Sequence, residues 1–309
     1  MDLELDCTMK NSEWIEHIDF LKNSNAAKGT KSNIFRALEK SIINKIPNEP
    51  FGILLSGGID SSLIAKICKD RGDEFRCFCV GIRGSKDIET AIEVSQSLNL
   101  KLVKKEYEIN EIEELLEKVV RILPYPLIEN DNYIEYMVKV SVSAVMLAAI
   151  NLGKENIFLS GIGAEELFAG YHRHTLSFKE GGKWRGSEIK QLEDESWDGI
   201  KRLHNLVISR DQLIAKQFMK EIRNPYIDDE LISLAMNLDR EEKINHDNNK
   251  IILRKIAADI GVPKISYERK KKGAQYGSGF DKAILKLAKK NGFKHKKRYV
   301  ESLLNNSKT

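Results

Sequence analysis

Two short stretches of this sequence carry residue types whose spacing could do chemistry. In FGILLSGGIDSSLIAKI, Phe51 to Ile67, an apolar run stops at Gly57 and Gly58 and resumes as a helix-like pattern that starts with Asp60, Ser61 and Ser62. Small residues let backbone N–H groups approach an anion, and a helix start adds unpaired N–H donors and the positive end of a dipole. Ser56, Gly57, Gly58, Asp60, Ser61 and Ser62 therefore read as a phosphate cradle with a carboxylate available to Mg²⁺. The turn is not a Walker A loop, because no Lys-Ser/Thr pair follows the glycines. A tight strand–helix turn with a Ser/Asp cap uses the same residues, so the turn alone leaves both readings open.

The second stretch, NIFLSGIGAEELFAGY from Asn156 to Tyr171, is built the same way. A short apolar run ends in Ser160-Gly161, and the acidic Glu165 and Glu166 follow at a helix start. Two strand ends of like construction are expected to face one pocket. Glu165 and Glu166 are also what a helix dipole favours in a first turn, and for Glu166 that is the better reading.

The elements that must position these turns alternate. The pattern predicts helix over Ser32 to Ile46, strand over Phe51 to Leu55, helix over Ser61 to Lys69, strand over Arg76 to Ile82, helix over Asp87 to Asn99 and strand over Lys101 to Glu106. Such alternation is how a doubly wound parallel α/β sheet reads, and ligands in such sheets sit at the carboxyl ends of the strands. A helical stretch over Asn110 to Ile122, turn residues Pro124 and Pro126 and a long apolar-periodic run over Asn132 to Leu152 precede the second strand end. From Trp197 onward the pattern is helical, broken at Pro225 and Pro263, which predicts a helical layer rather than an independent domain.

Composition bounds the class. The chain has 309 residues, of which 41% are hydrophobic and 31% charged, the proportions of a globular protein. No apolar run is long enough to span a bilayer and the acidic N-terminus does not read as a signal peptide, so a cytoplasmic location and no membrane partner are expected. The net charge of +4 is too small to imply nucleic-acid binding. Positive charge concentrates in KISYERKKK, 264–272, and KLAKKNGFKHKKR, 286–298, which could draw polyanions or form a solvated helix face. The four cysteines, Cys7, Cys68, Cys77 and Cys79, have no zinc-ligand spacing, and Cys77 and Cys79 alternate along a strand as small core residues.

SGGIDSS resembles the SGGxDS pyrophosphate loop of the ATP-pyrophosphatase (PP-loop) superfamily, and further segments resemble the synthetase domain of asparagine synthetases. FCVGIRGSKDIETA is similar to the second strand and adenine-contacting turn of that family, and SGIGAEELFAGY to its SGEGSDExFGGY. RNPYIDDELISLAMNL is similar to RVPFLD and the helix beyond it, KIILRKIA to KxxLR, and Arg269-Lys270-Lys271 to R-x-K. Order and spacing hold over most of the chain. The resemblance implies an adenine nucleotide α-hydrolase type of doubly wound α/β fold with an additional helical C-terminal layer. It divides the chain into an N-terminal extension (1–34), the synthetase-like domain (35–285) and a basic C-terminal tail (286–309).

The same resemblance implies an ATP-dependent, AMP-forming carbon–nitrogen ligase that adenylates a carboxylate. ATP would lie against Leu54, Val80, Ser160 and Gly161, with its phosphates over Ser56 to Ser62 and Mg²⁺ between Asp60 and Glu165. Lys271, or Lys272 if the register shifts by one, would be the cation at the α-phosphate, and the bidentate fork of Arg269 could hold pyrophosphate or a carboxylate. Arg173 and His174 would line the acceptor pocket, with polar surface as the alternative.

Two departures stand out. The chain begins Met1-Asp2 without the family's N-terminal catalytic cysteine, so nitrogen is expected as free ammonia, as an amine, or from a separate glutaminase chain. Ile162 stands at the position of the first glutamate of SGEGSDE and can neither take a proton nor hydrogen-bond an ammonium group. The GIGAEE form is similar to the asparagine synthetase domain-containing protein and archaeal-type relatives. Two other readings stay open: a nucleotide-binding regulatory partner without turnover, and an enzyme that modifies tRNA by adenylation.

Overall fold

Strand geometry sends successive side chains to opposite faces, and here that alternation sorts the protein into two cores. The sheet has five strands: β1 (Phe51–Leu54), β2 (Phe75–Gly81), β3 (Leu102–Glu106), β4 (Ile157–Leu159) and β5 (Glu221–Arg223). Their order is β3-β2-β1-β4-β5 and every pairing is parallel. Phe51, Ile53, Cys77, Cys79, Ile157 and Leu159 point into the first core. Phe78, Val80, Phe158 and Ile222 point into the second. Cys77 and Cys79 are thus the buried small residues their spacing predicts, and burial pushes the Cys77 thiol up to about 12. This computed structural model describes residues 9–123, 125, 133–178, 183–184, 187–188, 190–269 and 273–306. Cys7, Pro124, Pro126 and Lys270 to Lys272 lie outside the described residues.

Helices cover both faces. α1 (Asn11–Asn23), α2 (Lys31–Lys45), α3 (Ile59–Arg71) and α4 (Lys86–Ser97) lie over the first core; α5 (Ile109–Ile122) and α6 (Tyr133–Ile150) lie over the second. After β4 come the short α7 (Ala164–Leu167) and α8 (His172–Phe178), then α9 (Leu192–Leu203), which runs through a π-helical turn, His204–Ile208, into α10 (Ser209–Gln217). The helical layer continues with α11 (Asp229–Met236), α12 (Arg240–Lys243), α13 (Ile251–Asp259) and α14 (Lys264–Glu268). α15 (Ala274–Gly277), α16 (Phe280–Lys290) and α17 (Lys296–Asn306) close the chain. The fold is the doubly wound parallel α/β architecture with an added helical layer.

One correction concerns β5, which lies in a region whose pattern reads as helix. Glu221–Arg223 contains one apolar residue, Ile222, and pairs with β4 because the ladder supplies partners that local sequence cannot reveal. Asp228 braces the helical layer as the N-cap of α11, accepting from the Leu231 backbone N–H at 3.0 Å.

At both ends of the chain, amphipathic helices dock on these cores. Trp14, Ile18 and Leu21 form one buried stripe of α1, and Trp14 Nε1 donates to the Ile200 carbonyl at 2.9 Å. The basic run of residues 286–298 lies on α16 and α17, whose Ile284, Leu287, Tyr299, Val300 and Leu304 enter the second core. Its charges face outward, where Arg298 pairs with Glu301 and Lys296 with Asp281. Among the described residues no helix is long and apolar enough to cross a membrane.

Gly52 is required at the centre of the sheet. A Cβ there would lie 2.3 Å from the Phe158 ring, which meets Phe78 edge to face at 5.3 Å between centroids. Gly52→Ala is expected to cost about 1–3 kcal/mol by overpacking. Trimming the ring in Gly52→Ala/Phe158→Leu should return part of that loss, which urea denaturation of the two variants checks.

Candidate active site

The strand order reverses between β1 and β4, and at such a switch point open α/β sheets bind ligands in the crevice. Both singled-out turns lie there. A Cβ on Gly161, after β4, would be 2.9 Å from Asp60 Cβ and 3.4 Å from the Ser61 nitrogen. The two glycine-bearing strand ends therefore meet, and Gly161 is glycine because the backbones touch.

The loop after β1 has the form an anion needs. Gly57 sits at φ 72°, and a Cβ there would strike the α4 backbone at Thr90 and Ala91, 2.7 Å away. Helix α3 starts at Gly58 with no side-chain cap, so the N–H groups of its first turn point out of the helix without intrahelical partners. The Ser61 hydroxyl donates to the Gly58 carbonyl at 3.3 Å, and Ser62 accepts from Ser266 of α14 at 3.1 Å. Asp60, Ser61 and Ser62 are buried, Ser56 is half-buried, and Tyr226 donates its hydroxyl proton to the Asp60 carbonyl at 3.1 Å. Leu54, Val80 and Ser160 stand at the ends of β1, β2 and β4 beside this loop.

A residue not anticipated as part of the site joins the two turns. Lys250 Nζ lies 2.7 Å from both carboxylate oxygens of Asp60 and 2.9 Å from Glu165 Oε1. Its side chain is 2% exposed. Its backbone adopts left-handed values, φ 54° and ψ 38°, at the N-terminus of α13, where a non-glycine residue stores strain. The loop carrying it is tied to the end of α7: the Lys250 N–H donates to the Phe168 carbonyl at 3.2 Å and the Asn249 amide to Gly170 at 2.9 Å. Gly170 leaves room for both charged groups, since a Cβ there would be 1.6 Å from Glu165 Oε2 and 2.5 Å from Lys250 Cε. KIILRKIA carries Lys250 as its first residue, which was the available signal.

Asp60 and Glu165 also suit a divalent cation. They already flank one cation from opposite strand ends, and their donors are all oxygen, the preference of Mg²⁺. Among the described residues no three acidic, histidine or cysteine side chains cluster at metal-binding distance, so further ligands would be phosphate oxygens and water.

Arg269 is placed beside the loop. Its guanidinium donates to Asp87 Oδ1 at 2.6 Å and to the Ser56 carbonyl at 3.4 Å, and it is 9% exposed. Asp87 in turn presses on Gly277, where a Cβ would lie 2.3 Å from its carboxylate. Lys271, with its alternative Lys272, lies outside the described residues.

Arg173 and His174 differ in surroundings. Arg173 is partly exposed, stacks over the Tyr171 ring at 4.7 Å and reaches Glu195 at 3.5 Å. Tyr171 donates to Glu166 Oε1 at 2.8 Å; Glu166 is buried, and burial raises its carboxyl above the usual range. Ile162 is half-buried against the first core. His174 is fully buried, and its Nδ1 accepts from the Tyr171 N–H at 3.3 Å.

Burial, helped by the Arg173 and Lys243 charges, lowers the His174 pKa from 6.5 to about 3. A base whose folded pKa is depressed binds fewer protons folded than unfolded below pH 6.5. Its contribution is therefore complete above that value and declines as pH falls towards 3. Between pH 7 and pH 5 this amounts to about 2 kcal/mol of lost stability. His174→Gln should lack that component, so denaturation at both pH values should show a smaller loss in the variant; equal losses would contradict a neutral buried imidazole.

Comparison with known proteins agrees with this geometry. The profile of the family described as asparagine synthase matches residues 36–217 and 185–308. A protein of Methanocaldococcus jannaschii named "Putative asparagine synthetase [glutamine-hydrolyzing] 1" is 32% identical over 88% of this chain and 54% of its own length. Asparagine synthetase [glutamine-hydrolyzing] 2 of Lotus japonicus is 30% identical over 79% of this chain and 42% of its own. The chain thus spans about half the length of the curated relatives it matches. With the family profile covering the sheet, both strand ends and the helical layer, this chain belongs to the asparagine synthase family.

Proposed function

We propose that this chain is an ATP-dependent, AMP-forming carbon–nitrogen ligase that adenylates a substrate carboxylate and passes the acyl group to ammonia or an amine. One observation carries the reading: the ends of β1 and β4 meet so that Asp60, Glu165 and Lys250 form a single buried ion cluster against an uncapped helix start. The family supports the same assignment. The loop from Ser56 to Ser62 holds the triphosphate by backbone N–H groups, while Leu54, Val80, Ser160 and Gly161 border the nucleoside. Bound Mg²⁺ would be held by Asp60 and Glu165 and would neutralise phosphate charge.

Attack of the carboxylate on the α-phosphate expels pyrophosphate. An ammonium fixed beside the phosphates stabilises the charge that builds up. Lys250, bound to Asp60 in the first turn of α3, is one candidate for this role, and Lys271 is the further candidate from the basic run. Arg269, bound to Asp87 and the Ser56 carbonyl, positions the loop. In the second step the nitrogen donor attacks the acyl carbon, the bond to AMP breaks, and the donor's proton must leave. Ile162 cannot take it. Arg173, partly exposed beside Tyr171 and Glu195, is the candidate for holding the acceptor's own anionic group, and buried His174 packs next to it. The nitrogen is supplied as ammonia or by a glutaminase activity, the protein works in the cytoplasm, and a small-molecule carboxylate is favoured over nucleic acid as its partner.

Ile162 favours one second reading, a nucleotide-binding partner without turnover. Pyrophosphate release across a panel of carboxylates separates the two. The ligase reading expects release that falls about 10²–10³-fold in Asp60→Asn and in Lys250→Met. Nucleotide binding with no pyrophosphate from any carboxylate would support the partner; release insensitive to Asp60→Asn would remove the proposed site.

A further inference from the structure

Lys250 stands where a divalent cation would have to sit. Its ammonium takes both oxygens of Asp60 at 2.7 Å and approaches Glu165 Oε1 at 2.9 Å. Mg²⁺ demands close, near-octahedral oxygen ligands. It cannot share these two carboxylates with an ammonium lying between them, because two cations in one desolvated pocket repel each other.

Lys250 also cannot simply step aside. Its backbone is held at φ 54°, its N–H is bound to the Phe168 carbonyl, and a Cβ on Gly170 would be 2.5 Å from its Cε. At 2% exposure, withdrawal without another anion would leave a buried ammonium unpaired. The anion able to receive it must therefore arrive inside the same crevice. Asp60 lies in the first turn of α3, so a phosphate group on the N–H donors of that turn is a neighbour of the carboxylate Lys250 already holds.

We propose that Lys250 is a place-holder that makes divalent-metal binding conditional on nucleotide. Without nucleotide its ammonium neutralises Asp60 and Glu165 and closes the metal site. When a triphosphate enters, the ammonium turns to phosphate oxygen and releases the carboxylates to the cation. Metal and nucleotide then bind with positive coupling, and each raises the other's affinity by the same factor. The second half of this inference rests on the nucleotide reading above; closure of the empty site does not.

The test uses Mn²⁺ as the metal probe and calorimetry as the readout. Wild-type protein without nucleotide should show no Mn²⁺ site, and its melting temperature should not respond to Mn²⁺. Lys250→Met should bind Mn²⁺ at least ~30-fold more tightly than any residual binding by the wild type, with a higher melting temperature in Mn²⁺, and adding Asp60→Asn should abolish the gain. Lys250→Arg, which keeps a cation between the carboxylates, should stay closed. A Lys250→Met chain that folds only with Mn²⁺ present would equally support the proposal; Lys250→Gln serves if it cannot be recovered. Mn²⁺ binding to the wild type as tight as to the variant would overturn the proposal, as would a variant with no new site. Separately, α,β-methylene-ATP should bind the wild type more tightly with Mn²⁺ than without. Binding of the analogue with no dependence on Mn²⁺ would overturn the coupling. No binding of the analogue under any condition would instead overturn the nucleotide reading, and the result with metal alone would still decide whether Lys250 closes the site.

Discussion

The architecture of the crevice depends on one electrostatic constraint: two carboxylates, delivered by adjacent parallel strands, lie buried against each other's field. Taking an ionised carboxylate out of water costs several kcal/mol, and leaving one unpaired costs about 3–5 kcal/mol. Asp60 and Glu165 share the ammonium of Lys250, which is 190 residues from Asp60 along the chain. Their proximity is stable because a cation stands between them. The strain in the Lys250 backbone is compensated by that pairing and by the hydrogen bonds that tie its loop to Phe168 and Gly170.

The rest of the structure serves this arrangement. Gly52 in the central strand lets Phe78 and Phe158 meet over it, and the ladder between β1 and β4 brings their following loops into contact at Asp60 and Gly161. The C-terminal segment then reaches back over the first half of the sheet. Ser266 holds Ser62, Arg269 holds Asp87 and Ser56, and the Ser278 carbonyl accepts from the Ile82 N–H at 2.8 Å. The helical layer is thus part of the crevice wall, and the sheet alone would supply the loop after β1 without the Lys250 ammonium that faces it.

Much of this arrangement is legible in the order of residues. The alternation of apolar runs and helix-like segments from Phe51 to Glu106, the two Ser-Gly turns and the acidic residues behind them report directly on the strands and on the turns that end them, because these features are local. Two things are hidden for a physical reason. β5 has a single buried residue, Ile222, and exists through its ladder with β4 rather than through any pattern of its own. Lys250 opens KIILRKIA at the end of the polar stretch REEKINHDNNK, and that resemblance marks the segment without reporting which way its lysine faces. Only the three-dimensional pairing with Asp60 and Glu165 turns that lysine inward. Arg269 is picked out by the R-x-K resemblance, whereas its pairing with Asp87, 182 residues away along the chain, is a contact no local pattern reports.

The distance along the chain between Asp60 and Lys250 also constrains how the protein comes into being. During synthesis α3 and α7, which bear the two carboxylates, leave the ribosome well before α13 does. Until then, docking β4 on β1 brings two negative charges together without the Lys250 ammonium between them, and this repulsion opposes compaction of the nascent sheet. Closure is therefore a late event that awaits the C-terminal third, and contacts of such long sequence separation make folding slow. A chain released before Lys250 would keep its strands and most of its first core, yet its crevice would stay electrostatically sprung open.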